Sequence, residues 1–187
     1  MDPERARFLA RDFVQGFPAH CGFGVERVDA GVFETGCPVR PEHRQQDGFV
    51  HAGVLAALAD LTAGYAAYTL VPEDRRILTI EFKINFLKPA VGDRVHCRAR
   101  VLSPGRTILV AESEVFANDS GADRLVAKAT VTLMAVPASR LDPPTAAAPA
   151  GCRAPVPRRD PAPPKGRPPT HACVDGLPCS LEKSPKR

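Results

Sequence analysis

Residues 51–64 read His51-Ala52-Gly53-Val54-Leu55-Ala56-Ala57-Leu58-Ala59-Asp60-Leu61-Thr62-Ala63-Gly64, and they decide the fold. From about Val54 to Leu70 the pattern is helical, yet almost every side of the helix carries a small or apolar residue. An exposed helix shows a charged face; this one has none, and its alanines and glycine let surrounding backbone approach closely. A helix of this kind is expected to lie enclosed by a sheet. Asp60 is the only charged residue between His51 and Glu73. A lone carboxylate on such a surface is costly to bury, so it either reaches solvent in a cleft or has a task.

The residues leading into this helix are polar: Gln45-Gln46-Asp47-Gly48-Phe49-Val50-His51-Ala52-Gly53. Free backbone N–H groups and the positive end of the dipole at a helix N-terminus can hold an oxyanion. The sequence therefore places an acceptor-binding backbone and a solitary carboxylate on one helix.

Strands surround it. Residues 22–29 and 32–39 read as a hairpin about Ala30-Gly31. Leu78-Thr-Ile-Glu-Phe-Lys-Ile-Asn-Phe86 alternates strictly, as a half-buried strand does, with Glu81 and Lys83 facing outward. Val95, Cys97, Ala99 and Val101 alternate with charged neighbours, Ser103-Pro104-Gly105 makes a turn, and residues 106–117 and 124–136 form a last pair. Residues 2–17 read as an amphipathic helix capped by Asp2, with Phe8, Leu9, Phe13, Val14 and Phe17 on its apolar face. Tyr65 and Tyr68 read as core or interface filling. Six strands joined mostly by tight turns, with two helices, predict an α+β domain built on an antiparallel sheet. A parallel sheet would need helices between its strands.

Composition narrows the function. Of 187 residues, the first 137 carry a net charge of −1, while the last 50 carry +5 and twelve of the 20 prolines. The body is thus expected to bind no nucleic acid. Residues 138–187 read as a Pro-rich basic tail with too few apolar residues to offset ordering entropy, hence disordered. The expected domains are 1–137 and this tail. No apolar run reaches the roughly 20 residues that span a bilayer, and the start lacks the layout of a signal peptide. The expected location is cytoplasmic, with no membrane partner and six reduced cysteines. No metal site is expected: His171, Cys173, Cys179 and Cys152 match no strong zinc spacing, and Ser180-Leu-Glu-Lys183 stands without companion motifs.

Together, His51-Ala52-Gly53, Leu58-Ala59-Asp60, Ala63-Gly64, Glu81-Phe-Lys-Ile-Asn-Phe-Leu-Lys-Pro-Ala90 and Pro104-Gly105-Arg106-Thr107 resemble the PaaI-type acyl-CoA thioesterases of the hotdog fold, in order and spacing across residues 5–137. The resemblance implies a hotdog fold, an antiparallel sheet wrapped around a central helix, paired into a homodimer or homotetramer with active sites at the interface. It implies hydrolysis of an acyl- or aryl-CoA, with CoA as part of the substrate and no separate cofactor. Asp60 falls on the family's catalytic aspartate, general base or nucleophile. The N–H of Ala52, between His51 and Gly53, falls on the oxyanion donor. Gln45 stands where many relatives have asparagine, with Gln46 a competing amide, and Thr79 where some have an assisting hydroxyl. Contacts to CoA fall on Phe86, Lys88 and Pro89 and on Ser103, Gly105, Arg106 and Thr107, where lysine and arginine suit its phosphates. Two alternatives stay open: a hotdog hydratase or dehydratase using Asp47 and His51, and an acyl-CoA-binding sensor without turnover.

Overall fold

The computed structural model describes residues 1–119 and 121–141. The tail read as disordered and its cysteines thus lie outside the described residues, apart from a single 3-10 turn at Ala138–Arg140 that closes the last strand.

The order is α1 (Pro3–Phe13), α2 (Phe17–Cys21), β1 (Gly24–Asp29), β2 (Val32–Pro38), α3 (Ala52–Tyr68), β3 (Arg75–Phe86), β4 (Arg94–Pro104), β5 (Ile108–Asp119) and β6 (Ala122–Pro137). The strands form one antiparallel sheet in the order β1-β2-β4-β5-β6-β3. The chain goes from β2 through α3 to the far edge at β3, so α3 crosses the inner face of the whole sheet. Ala59, Ala63, Ala66 and Ala67 are fully buried on it, as are Phe33, Val95, Cys97, Val115, Val131 and Leu133 on the strands. A helix clad in alanine can lie against a sheet where larger side chains would hold it away. Ala63→Leu overfills this layer and should cost about 1–3 kcal/mol of stability by urea denaturation.

A fully buried polar contact crosses the layer. The Thr62 hydroxyl donates to the Leu58 carbonyl at 2.6 Å and lies 2.6 Å from the Thr35 hydroxyl, both threonines being fully buried. A hydroxyl has a single hydrogen, so Thr35 is the donor to Thr62, and both groups are satisfied.

Two expectations are corrected. The N-terminal segment is two helices rather than one. Asp2 caps α1 through the N–H groups of Glu4 and Arg5, but Gly16, at φ +57°, turns the chain and Pro18 opens α2. Of the expected apolar face only Leu9 and Phe13 are buried, while Phe17 is exposed. In β3 the strict alternation does not give one buried face. A bulge between Thr79 and Glu81 shifts the register, so Thr79 pairs with buried Leu133 and faces α3, while Leu78 pairs with Met134. A bulge re-aims the side chains on either side of it. Here it turns a hydroxyl toward the helix.

Candidate functional site

The helix α3 is capped by His51, whose Nδ1 accepts the Gly53 N–H at 2.9 Å, while its carbonyl accepts the N–H groups of Val54 and Leu55. The imidazole is therefore a cap, with Nδ1 as acceptor and any proton of the neutral ring on Nε2. Gly53 permits this: a Cβ there would lie 3.0 Å from Nδ1. Ala52 is the first helical residue and sits exposed, and its N–H alone in this turn finds no acceptor among the described residues. A free N–H at the positive end of a 17-residue helix is a ready donor to an oxyanion.

This N–H opens on a cavity of about 330 Å3 lined by Gln45, Ala52, Phe86, Lys88 and Pro89, among others. Gln45 lines it; Gln46 does not and is exposed. Gln45 is held in a tight turn by bonds from its N–H to the Phe49 carbonyl and from the Gly48 N–H to its own carbonyl. That turn stands on His43, which is buried, whose ring lies 3.2 Å from an Arg40 guanidinium nitrogen, and whose carbonyl accepts the His51 N–H. Burial, then Arg40, pushes the His43 pKa down, disfavouring its charged form.

Asp60 stands eight residues further along α3, about 12 Å at the helical rise. It is half-buried, and its Oδ1 accepts the Thr79 hydroxyl at 2.8 Å. Burial pushes its pKa above the ordinary carboxylate value, opposed by the Thr79 bond. The bulge in β3 is what brings Thr79 here. A second cavity, about 220 Å3, lies beside Asp60 and Thr79. The turn carrying Ser103, Gly105, Arg106 and Thr107 is a third location. The Thr107 carbonyl accepts the Ala135 N–H, and Ala135 pairs with Ile77, so this turn adjoins the start of β3, whereas Lys88 and Pro89 follow its end.

One chain thus brings together Gln45, Ala52, Phe86, Lys88 and Pro89, and separately Asp60 and Thr79. It does not bring Asp60 to Ala52. Thiol chemistry finds no support in the core, where burial pushes Cys37 up to about 11 and Cys97 up to about 12. Among the described residues no His, Cys, Asp and Glu cluster could hold a metal ion, and no helix is long and apolar enough to cross a membrane.

A six-stranded antiparallel sheet wrapped on one long helix, with an unpaired N–H at the helix start and a carboxylate on its flank, defines a hotdog-fold protein. Residues 47–124 match the thioesterase superfamily. A crystal structure of a thioesterase family protein from Silicibacter pomeroyi is 39% identical and covers 71% of this chain and 98% of its own, with a TM-score of 0.68. The proofreading thioesterase EntH of Klebsiella pneumoniae is 30% identical over 88 residues, 47% of this chain and 64% of its own length. A thioesterase of Haemophilus influenzae, 22% identical with a TM-score of 0.65 over 71% of this chain and 91% of its own, shares the fold. The chain belongs to the thioesterase superfamily.

Proposed function

We propose that the protein is an acyl-CoA thioesterase that works as a homodimer, with each active site shared between two chains. Asp60 acts as general base toward water or as nucleophile on the thioester carbon. The Ala52 N–H of the other chain receives the developing oxyanion, with Gln45 beside it. Hydrolysis needs a carboxylate and an oxyanion donor, and the Asp60 side chain and the free Ala52 N–H support that assignment.

The observation that carries the shared site is the separation of these groups along α3. Groups about 12 Å apart on one helix cannot act on one carbonyl. The edge strand β3 supplies the remedy. It is 12 residues long, and Ile80, Phe82 and Phe86 are 51%, 41% and 47% exposed. A long apolar edge invites another strand. Pairing with a second β3 in antiparallel sense sets the start of one strand, with Thr79 and Asp60, against the end of the other, with Phe86, Lys88 and Ala52. The Ser103–Thr107 turn of one chain then approaches Lys88 and Pro89 of the other. Lys88 and Arg106 become the cations for the CoA phosphates, a role Lys and Arg both serve.

A panel of acyl-CoAs from acetyl to palmitoyl, with benzoyl and phenylacetyl, is expected to show release of CoA by mass spectrometry for at least one class. Sedimentation should give a dimer or larger. Binding of every acyl-CoA without turnover would instead favour the sensor reading, and hydration of an enoyl-CoA the hydratase reading.

A further inference from the structure

We infer that the Asp12–Tyr65 pair, backed by Arg76, is the end wall of the acyl pocket and sets the longest acyl group the protein accepts, with Gly64 leaving the space the acyl group fills. This inference rests on the reading of Asp60 as the carboxylate that acts at the thioester, as general base or nucleophile.

The cavity beside Asp60 starts at the Asp60–Thr79 bond and runs between α3 and β3 past Gly64 to Tyr65, Asp12 and Arg76. At Gly64 an added Cβ would meet nothing within 4 Å, and no left-handed backbone calls for glycine there. Glycine inside a helix weakens it, so neither packing nor conformation accounts for this residue. Open space along the cavity does.

The far end is bordered by polar and charged groups, Asp12, Tyr65 and Arg76. The Tyr65 hydroxyl donates to the Asp12 carboxylate at 2.8 Å, tying α3 to α1. Tyr65 is fixed by rings on three sides, with centroids 5.0, 5.3 and 5.9 Å away at Phe13, Phe33 and Tyr68. Arg76 lies 5.9 Å from the Tyr68 centroid and donates to the carbonyls of Glu73 and Arg75. A methyl end pressed against this carboxylate and guanidinium would strip their water without replacing it. From Asp60 to Gly64 is one helical turn, about 6 Å, room for roughly four or five chain carbons beyond the carbonyl. Arg76 also borders a separate, larger cavity of about 570 Å3 lined by Arg5, Arg7 and Arg11 with Glu4 and Glu73, so the charged character continues beyond this end.

The test compares wild type, Asp12→Ala, Tyr65→Phe and Gly64→Leu. Hydrolysis of acetyl-, butanoyl-, hexanoyl-, octanoyl- and decanoyl-CoA is measured beside calorimetric binding of the S-butyl and S-octyl thioethers of CoA. For wild type, kcat/KM should fall at least ~10-fold between hexanoyl and octanoyl, and the S-octyl thioether should bind no tighter than the S-butyl. Asp12→Ala should raise the octanoyl-to-butanoyl ratio ~10-fold. Gly64→Leu should lower the hexanoyl-to-acetyl ratio ~10-fold, because its side chain occupies the space. Tyr65→Phe keeps the ring packing and loses only the bond, so it carries the ratio test if Asp12→Ala fails to fold. Thioether binding that rises with length in wild type, or ratios equal in all four proteins, overturns the wall. Turnover without a length limit overturns the wall and keeps the thioesterase reading. A length limit in thioether binding with no turnover of any acyl-CoA does the reverse.

Discussion

Asp60→Asn is expected to lower kcat on the best acyl-CoA by at least ~10^3-fold, because it removes the only carboxylate on α3, the proposed general base or nucleophile, and general-base steps contribute about 10^2–10^4-fold. Burial holds the Asp60 carboxyl above the ordinary carboxylate pKa in the folded protein. A group whose folded pKa is raised favours the fold below its unfolded pKa, and that contribution is lost as pH rises through the folded value. At neutral pH the charged Asp60 is therefore a burden on the fold. Asparagine, which keeps the shape and the acceptor for the Thr79 hydroxyl, relieves it. The melting temperature of Asp60→Asn should rise at pH 7.5, and the gain should vanish in acid. The same raised pKa fixes the sign of the wild-type pH profile: kcat/KM should lose activity on its acid side at a pH above that of an ordinary aspartate. Calorimetry and pH–rate curves on the two proteins check both halves. A variant that keeps most of its rate removes Asp60 from the chemistry, and one that melts lower at neutral pH overturns the burden on the fold.

Asp60 was legible in the sequence because it broke a pattern: one charge among small residues on a helix with no polar face. The enclosing sheet was legible for the same reason, since a helix without a solvent face has to be covered. What escaped was local geometry. Periodicity in residues 78–86 is strict, and nothing in the alternation marks the bulge after Thr79. Yet the bulge decides that Thr79, rather than its neighbours, reaches Asp60. Gly16 could be read as the end of a helix, but not as the hinge to a second one. The role of His51 depended on which atom its ring accepts from, and only the position of the Gly53 N–H fixes that. Asp12 carried no signal, lying among ordinary charges on a surface helix. Its meaning comes from Tyr65, 53 residues away in sequence. Which of Gln45 and Gln46 enters the cavity likewise turned on the loop's own hydrogen bonds, which pattern does not reach.

Ala52→Pro is expected to abolish turnover while leaving the helix in place. Ala52 is the first residue of α3, where proline is well tolerated because the N–H it lacks has no helical partner. His51 already holds φ −63° and ψ 137°, the extended conformation that a residue before proline prefers. The substitution replaces the N–H hydrogen with a ring carbon and keeps a helical φ, and loss of one oxyanion donor lowers kcat by about 10^2–10^3-fold. Circular dichroism should show the wild-type spectrum. The stronger test mixes this protein with Asp60→Asn, each inactive alone, under conditions that let dimers exchange. If Asp60 of one chain works with Ala52 of the other, a mixed dimer has one site carrying both defects and one carrying neither. Random pairing at equal amounts makes half the dimers mixed, so about a quarter of wild-type activity should return. If instead both groups of a site came from one chain, every site in the mixture would carry a defect and no activity would return. Recovery near a quarter therefore reports the shared site proposed from the two-turn separation of Asp60 and Ala52 on α3, and no recovery would overturn it.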